Sequence, residues 1–254
     1  MGLASITLYK TLVMVFLALV GVFSYKTGIV DEEINKKLSD LVLTLFTPIL
    51  LFTSFQKDFT RELSSGLCIS VLLSVIAFGI IWCICKAVVC KQEKNYAAVE
   101  HIALMYSNCG FIGIPMAQGI FGADGVFYMT AYVALANFLL WSHGIIVMSG
   151  KMNLRSVKKV FTSPTIIAIV LGVICFVIQI RMPKIIEDPL EMIANMNTPM
   201  AMMVAGINIA QADLKHTFQN KRLYWLSFVK LIIMPMLLIG LLKMFSVEDT
   251  VKTV

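Results

Sequence analysis

The feature that most constrains the fold is the stretch from residue 98 to residue 122, which is apolar enough to cross a bilayer yet is interrupted at its middle. Asn108, Gly110, Gly113 and Pro115 all fall there. Proline lacks an amide hydrogen and crowds the preceding turn, and glycine weakens a helix, so backbone groups near the proline should lack intrahelical partners. Inside a membrane such backbone is tolerated where it lines a polar cavity, as in the broken helices of transporters.

The rest of the chain is equally apolar. Only 14% of its 254 residues are charged, and its mean hydropathy is +0.86, whereas about a quarter of the residues of a soluble domain are charged. The composition therefore predicts an all-α polytopic membrane protein, with roughly 20 apolar residues for each spanning helix. Eight spans are predicted, at about 7–25, 38–55, 67–90, 98–121, 125–149, 163–181, 189–210 and 222–244.

The basic residues indicate how the chain is oriented in the membrane. The net charge of +6 does not indicate nucleic acid as a partner, because the Lys and Arg residues lie mainly in short loops between spans. The loops at 26–37, 86–97, 150–162 and 211–222 hold 13 of the 21 Lys and Arg residues. If these loops are cytoplasmic, the protein spans the cell membrane (the plasma or inner membrane) with its N-terminus on the outer side.

An internal repeat is suggested by two Thr-Pro pairs, Thr47-Pro48 and Thr198-Pro199, which lie 151 residues apart in the second and seventh spans. A five-helix repeat has an odd number of spans, so its second copy would be inverted, as in many secondary transporters. On the same offset the broken fourth span would recur from about residue 249. The second repeat is therefore expected to be incomplete, without helices 9 and 10.

The run from Tyr106 to Gly122 resembles the auxin efflux carrier family of membrane transporters, which includes plant auxin exporters and bacterial malate or malonate permeases. Segments at 41–55, 197–210 and 229–242 carry the same resemblance in the family's order. It implies an elevator mechanism in which helix 4 is a broken crossover helix at the substrate site. Plant exporters have proline where this chain has Ser107, which argues against auxin as the substrate.

The resemblance also implies a division of the chain. Residues 1–60 would form scaffold helices 1 and 2, and residues 61–150 would form transport-domain helices 3 to 5. Residues 151–212 would form scaffold helices 6 and 7, and residues 213–254 would form transport-domain helix 8 and the C-terminal end. A homodimer through the scaffold helices would suit such a fold, and the lipid bilayer and a small organic anion are the other expected partners.

Several polar residues are candidates for binding the substrate. The resemblance matches Asn108 and Pro115 to the family's crossover asparagine and proline. Gly110, Gly113 and Pro115 precede a half-helix whose partially positive N-terminal end favours an anion. Asn137 in the fifth span could bind substrate or bond to a neighbouring helix. Lys230 could balance the charge of an anion, pair with an acid, or extend its ammonium to the membrane surface.

Other residues are interpreted as structural. His143 could relay protons but is more simply explained by a hydrogen bond, and Glu100 and His101 are interpreted as the solvated start of a helix. The cysteines and methionines show no metal-binding pattern, so no metal or cofactor is predicted. The chain has no catalytic motif or nucleotide-binding loop, so it is not predicted to be an enzyme. The alternative to an anion carrier is a truncated protein that does not transport, or a half that needs a partner.

Overall fold

The computed structural model describes residues 3–89, 94–107, 109–149, 162–212 and 220–242. Within this part of the chain every regular element is helical. The α-helices, in chain order, are α1 (Leu3–Lys26), α2 (Glu32–Leu41), α3 (Thr47–Ser54), α4 (Arg61–Val88), α5 (Lys94–Met105), α6 (Ile114–Leu139), α7 (Ile145–Ser149), α8 (Pro164–Ile178), α9 (Lys184–Asn195), α10 (Asn197–Gln211), α11 (Lys221–Phe228) and α12 (Met234–Leu242).

The described helices are apolar and long enough to confirm a membrane protein. Five helical segments are long and apolar enough to cross a bilayer, namely Ala4–Lys26, Glu32–Ser54, Arg61–Val88, Ile114–Met148 and Lys221–Gly240. The predicted fourth, sixth and seventh spans do not reach this length as single helices. The fourth and seventh are each divided in two, and α8, in the sixth, has 15 residues. Many large apolar side chains are exposed, such as Phe16 at 68%, as expected for helices that face lipid.

Prolines explain most of the irregular turns in these helices. In the described part of the chain, four π-helical segments interrupt the α-helices, at Val42–Phe46, Cys109–Gly113, Leu140–Gly144 and Val229–Ile233. The first, second and fourth are each followed, after one further residue, by a proline: Pro48, Pro115 and Pro235. A proline removes one α-helical hydrogen bond and crowds the preceding turn, so that turn widens to the longer π pattern. The mid-span prolines therefore alter the helix just before them.

Two groups of helices are recognisable from their contacts. In the first group α1 packs along α10, and α3 packs on both α8 and α9. The backbones of α1 and α10 approach closely, because a Cβ atom on Gly206 would lie 1.9 Å from the carbonyl oxygen of Ala18 and one on Gly21 would lie 2.1 Å from that of Met203. In the second group α4 contacts α5, α6 and α12. The contacts are compatible with the expected scaffold and transport helices, but the repeat arrangement and the domain boundaries stay predictions.

An aromatic cluster joins the two groups. The rings of Phe55 and Phe127 meet edge to face with centroids 5.1 Å apart, and Phe127 meets Phe176 in the same way at 5.2 Å. All three side chains are nearly fully buried. Such pairs add directional packing to their apolar burial. The cluster therefore fixes the position of the helix carrying Phe127 relative to α3 and α8.

The C-terminal half of the fourth span turns directly into the fifth span at Gly122. Its φ of 64° and ψ of −148° divide α6 into a half-helix from Ile114 to Phe121 and a longer helix that ends at Leu139. This backbone region is essentially restricted to glycine. The turn therefore matches the predicted boundary between the fourth and fifth spans, even though the helical hydrogen-bond pattern runs through it.

Candidate functional site

The fourth span is interrupted in the structure, as the sequence predicts, but the interruption begins earlier. Helix α5 ends at Met105, and Tyr106 and Ser107 are not helical. The predicted site residue Asn108 lies outside the described residues. The chain then resumes as the π-helical segment Cys109–Gly113.

Gly110, Gly113 and Pro115 lie on the C-terminal side of the interruption rather than within it. Gly110 and Gly113 belong to the π-helical segment, and Pro115 occupies the first turn of α6, where its missing amide hydrogen does no harm. A Cβ atom on Gly113 would lie 2.4 Å from the terminal methyl of Met129, so this glycine allows the fourth and fifth spans to pack closely. The expected backbone gap therefore lies a few residues before the proline, because the widened π turn absorbs the lost hydrogen bond.

Lys230 reaches this interruption from another span. It lies in the π-helical segment Val229–Ile233, and its ammonium donates hydrogen bonds to the carbonyl oxygens of Tyr106, at 2.8 Å, and of Ala103. Carbonyls at the C-terminal end of a helix lack intrahelical partners and carry partial negative charge, which a cation stabilises. The structure shows a role for Lys230 that is not among the three left open by the sequence: the lysine caps the C-terminal end of α5. Its ammonium therefore lies at the interruption of the fourth span.

A second basic residue of the same span binds the middle of α5. The guanidinium of Arg222 donates to both carboxylate oxygens of Glu100, at 2.9 and 2.7 Å, and to the carbonyl of Val88 at 3.0 Å. The Glu100 side chain is only 12% exposed. The interpretation of Glu100 as part of a solvated helix start was therefore wrong. Charge-assisted, bidentate bonds of this kind are among the stronger ones in proteins.

The two histidines of this region lie close together beside the break. The rings of His101 and His143 have centroids 5.3 Å apart. The Tyr106 hydroxyl donates to the carbonyl of Leu139 at 2.9 Å and lies 3.1 Å from Nδ1 of His143. Tyr106 thus connects its side chain to the fifth span while its carbonyl accepts from Lys230. His143 has the hydrogen bond that its structural interpretation requires, and a proton relay stays a hypothesis.

Asn137 is bound within its own helix. Its amide nitrogen donates to the carbonyl of Val133 at 2.9 Å, and its side chain is partly buried. This bond is neither of the two roles proposed from the sequence, contact with substrate or a bond to a neighbouring helix. The structure therefore does not bring Asn137 to Lys230 by any described hydrogen bond, and its role in binding stays a prediction.

The kinks of the first helix group carry buried polar contacts that the sequence analysis missed. The hydroxyl of Thr47 donates to Oδ1 of the fully buried Asn197 at 2.8 Å, and the hydroxyl of Thr198 donates to Oε1 of Gln118 at 3.1 Å. Both threonines come from the Thr-Pro pairs that suggested a repeat. Their spacing was the available signal, but it does not reveal their partners. The second bond connects the C-terminal half of the fourth span to the seventh.

Comparison with known proteins places the chain among membrane transport proteins. Nearly its whole length matches the family model described as "Membrane transport protein", through residues 6–158 and 148–254. It is 26% identical over 217 residues to an uncharacterized transporter of Methanocaldococcus jannaschii, covering 80% of this chain and 69% of that protein. It is 25% identical over 232 residues to an uncharacterized transporter of Methanothermobacter thermautotrophicus, covering 89% of this chain and 74% of the relative. It is also 25% identical over 246 residues to the uncharacterized transporter YfdV of Escherichia coli, covering 90% and 76%.

Proposed function

The chain belongs to the membrane transport protein family, and from that premise we propose that it is a secondary carrier of small organic anions. The family and its transporter-named relatives support transmembrane transport by a multi-pass membrane protein, and a carrier rather than an enzyme is the role that we propose. The class of substrate, a small organic anion, goes beyond what the family and the relatives support. The observation that carries it is the ammonium of Lys230 at the interruption of the fourth span.

The charges around the break support an anion as the substrate. Lys230 bonds there only to neutral carbonyl groups among the described residues, so its charge has no acidic partner. Glu100, the acid of α5, is neutralised by Arg222. The segment that resumes at Cys109 also directs the partially positive end of a helix toward the break. A carboxylate entering the break would therefore meet positive potential and no unpaired acid of α5.

The proposed mechanism is an elevator-type movement of one helix group against the other. The group containing α4, α5, α6 and α12 would carry the substrate, and the group containing α1, α3, α8, α9 and α10 would stay fixed. The different partners of the two halves of the fourth span support this division, since Lys230 and Arg222 hold the first half and the scaffold helices contact the second. No nucleotide-binding motif occurs in the sequence, so an ion gradient or the membrane potential would supply the work. We propose the cell or inner membrane as the location, with the N-terminus outside.

Uptake of radiolabelled malate and malonate into liposomes tests the proposal. The chain should accumulate at least one of these carboxylates above empty liposomes. Lys230→Ala should reduce the uptake at least about tenfold, as expected if a charged contact of about 1.4 kcal/mol is lost from the transported state. Lys221→Ala, in the same span but outside the break, should retain it. Equal uptake by both variants and the unaltered chain would contradict a role for Lys230 in binding.

Asn108 is tested in the same assay. Its amide can donate to a carboxylate without the desolvation of a full charge, so Asn108→Ala should reduce uptake while Asn108→Gln should retain part of it. The control is Asn95→Ala, at the start of α5 and away from the break. Full uptake by Asn108→Ala would remove the asparagine from the proposed site, while leaving the test of Lys230 intact.

A further inference from the structure

A polar cavity of about 200 Å³ lies between the two helix groups, with a lining distinct from that of the interrupted segment. One wall comes from α3 and α9, and the other from the C-terminal half of the fourth span and the start of the fifth. Its polar lining residues are Thr53, Ser54, Gln118, Glu191 and Asn195. Whatever binds there contacts both groups at once.

The charge of this cavity differs in sign from that of the break. Among the residues that the structure describes, Glu191 is the only ionisable one lining the cavity, and no Lys or Arg forms an ion pair with it. Two basic residues that follow α3 and α8 in the chain already have acidic partners: Lys57 pairs with Asp124, and Arg181 pairs with Asp58. The carboxylate of Glu191 is therefore left without a cation partner from the described chain.

The neutral groups of the cavity favour a ligand that accepts lone pairs. The hydroxyl hydrogens of Thr53 and Ser54 are committed to carbonyls of their own helix, at 3.0 and 2.6 Å. Their remaining capacity is as hydrogen-bond acceptors or cation ligands. The amide oxygen of Gln118 accepts from the hydroxyl of Thr198 and keeps one lone pair, and Asn195 lines the cavity with a further amide group. One carboxylate with several neutral oxygens suits a monovalent cation, whereas Ca²⁺ sites usually hold more carboxylates.

We propose that this cavity binds a small monovalent cation, either Na⁺ or a primary ammonium group, through the carboxylate of Glu191. Its volume of about 200 Å³ admits a partly hydrated ion or a small ammonium compound. Because the two walls belong to different helix groups, the bound cation stabilises the arrangement in which they are adjacent. This site goes beyond the proposed anion transport and does not depend on it.

Thermal unfolding of the detergent-solubilised full chain tests this site without a transport assay. The unfolding midpoint is measured during titration with NaCl, with methylammonium chloride or with choline chloride, at constant ionic strength. A ligand that binds the folded state raises the midpoint in a saturable way. We expect saturation with NaCl or with methylammonium chloride, and none with choline chloride, whose quaternary nitrogen has no N–H donor and is kept away from a carboxylate by its methyl groups. The salt that saturates identifies the source of the cation.

Variants then locate the effect. Glu191→Gln keeps the shape of the side chain but removes its charge, and it should weaken the apparent affinity for the saturating cation at least about tenfold. Asp188→Asn, an exposed acid of the same helix outside the cavity lining, should leave it unchanged. Asn195→Leu should weaken the affinity by a smaller factor. Identical titrations in all three salts, or an unchanged response in Glu191→Gln, would overturn the proposal even if the chain transports carboxylates.

Discussion

The two halves of the fourth span are held in different ways. The first half, α5, is bound by basic side chains from one other span, Arg222 at its middle and Lys230 at its C-terminal end. The second half, from Ile114 to Phe121, lies among apolar side chains and contacts α1, where Gly119 packs beside Lys10. Charged contacts anchor one half, and packing with a single described interhelical hydrogen bond anchors the other. A movement of the helices that contact one half of the fourth span therefore need not move the other half.

This difference predicts that the ion pair between Glu100 and Arg222 contributes more to the free energy of unfolding than any other of these contacts. Glu100→Ala would remove both carboxylate bonds of the partly buried Arg222, which we expect to lower the free energy of unfolding by about 3 kcal/mol. That is the lower end of the range for broken buried pairs, because the Arg222 side chain keeps 28% exposure. Reversible unfolding in mixed micelles measures it.

The exposed pair between Glu33 and Lys37 provides a matched control. Its side chains are 76% and 74% exposed, so Glu33→Ala should change the free energy of unfolding by less than about 0.5 kcal/mol. If Glu100→Ala is no more destabilising than this control, charge does not anchor the first half and the comparison fails.

The second half should depend more on its backbone turn than on any polar contact. Gly122→Ala places a side chain at a φ of 64° and a ψ of −148°, and we expect a loss of about 2 kcal/mol in the same unfolding assay. Gly79→Ala is the control, because Gly79 is helical and has open space around it. It should be neutral or stabilising by up to about 1 kcal/mol. A similar result for both glycines would show that the turn at Gly122 is not strained by a side chain.

Lys230 should contribute less to stability than the ion pair does. Lys230→Met removes two hydrogen bonds to carbonyl groups of the α5 end, and we expect a loss of about 1.5 kcal/mol. Lys221→Met, at the start of α11, should change the free energy of unfolding little. Amide hydrogen exchange near Met105 should accelerate in the first variant only. Unaltered exchange there would show that the lysine does not hold the end of the first half.

The smallest expected effect concerns the hydrogen bond of the second half. Thr198→Val removes the donor to Gln118, and bonds of this kind between membrane helices average about 0.6 kcal/mol. Thr44→Val, which removes only a bond to the carbonyl of Asp40 in the same helix, serves as the control. A loss above about 2 kcal/mol for Thr198→Val would mean that polar contacts anchor both halves, and the contrast between them would disappear.

Much of the fold follows from the sequence because its determinants are local. Long apolar runs predict the spans, and the mid-span prolines predict where helices become irregular. The exact form of the irregularity does not follow from the sequence. The same local sequence is compatible with a full break just before Pro115 and with a π turn there that shifts the break to the residues before Cys109. The break therefore appeared at a different place from the one expected, although Gly110, Gly113 and Pro115 correctly marked the broken span.

The contacts of the candidate site depend on tertiary structure and could not be predicted. Glu100 and Arg222 are separated by 122 residues in the chain, and nothing local indicates that they pair. Lys230 was recognised as unusual because a charge within a span needs a partner. Its partners are backbone carbonyls, which every residue possesses and which become available only where a helix ends. The sequence therefore indicates that such a lysine matters but cannot say what it binds.

The central claim is that the interruption after Met105 lies open to water for a solute. Ser107, which is exposed, is replaced by cysteine in a chain whose six native cysteines are changed to alanine, and a charged thiol reagent is applied to the protein in liposomes. Phe16→Cys, on the exposed face of α1, is the lipid-facing control. We expect rapid labelling at position 107 and none at position 16. Equal absence of labelling at both positions would contradict the account.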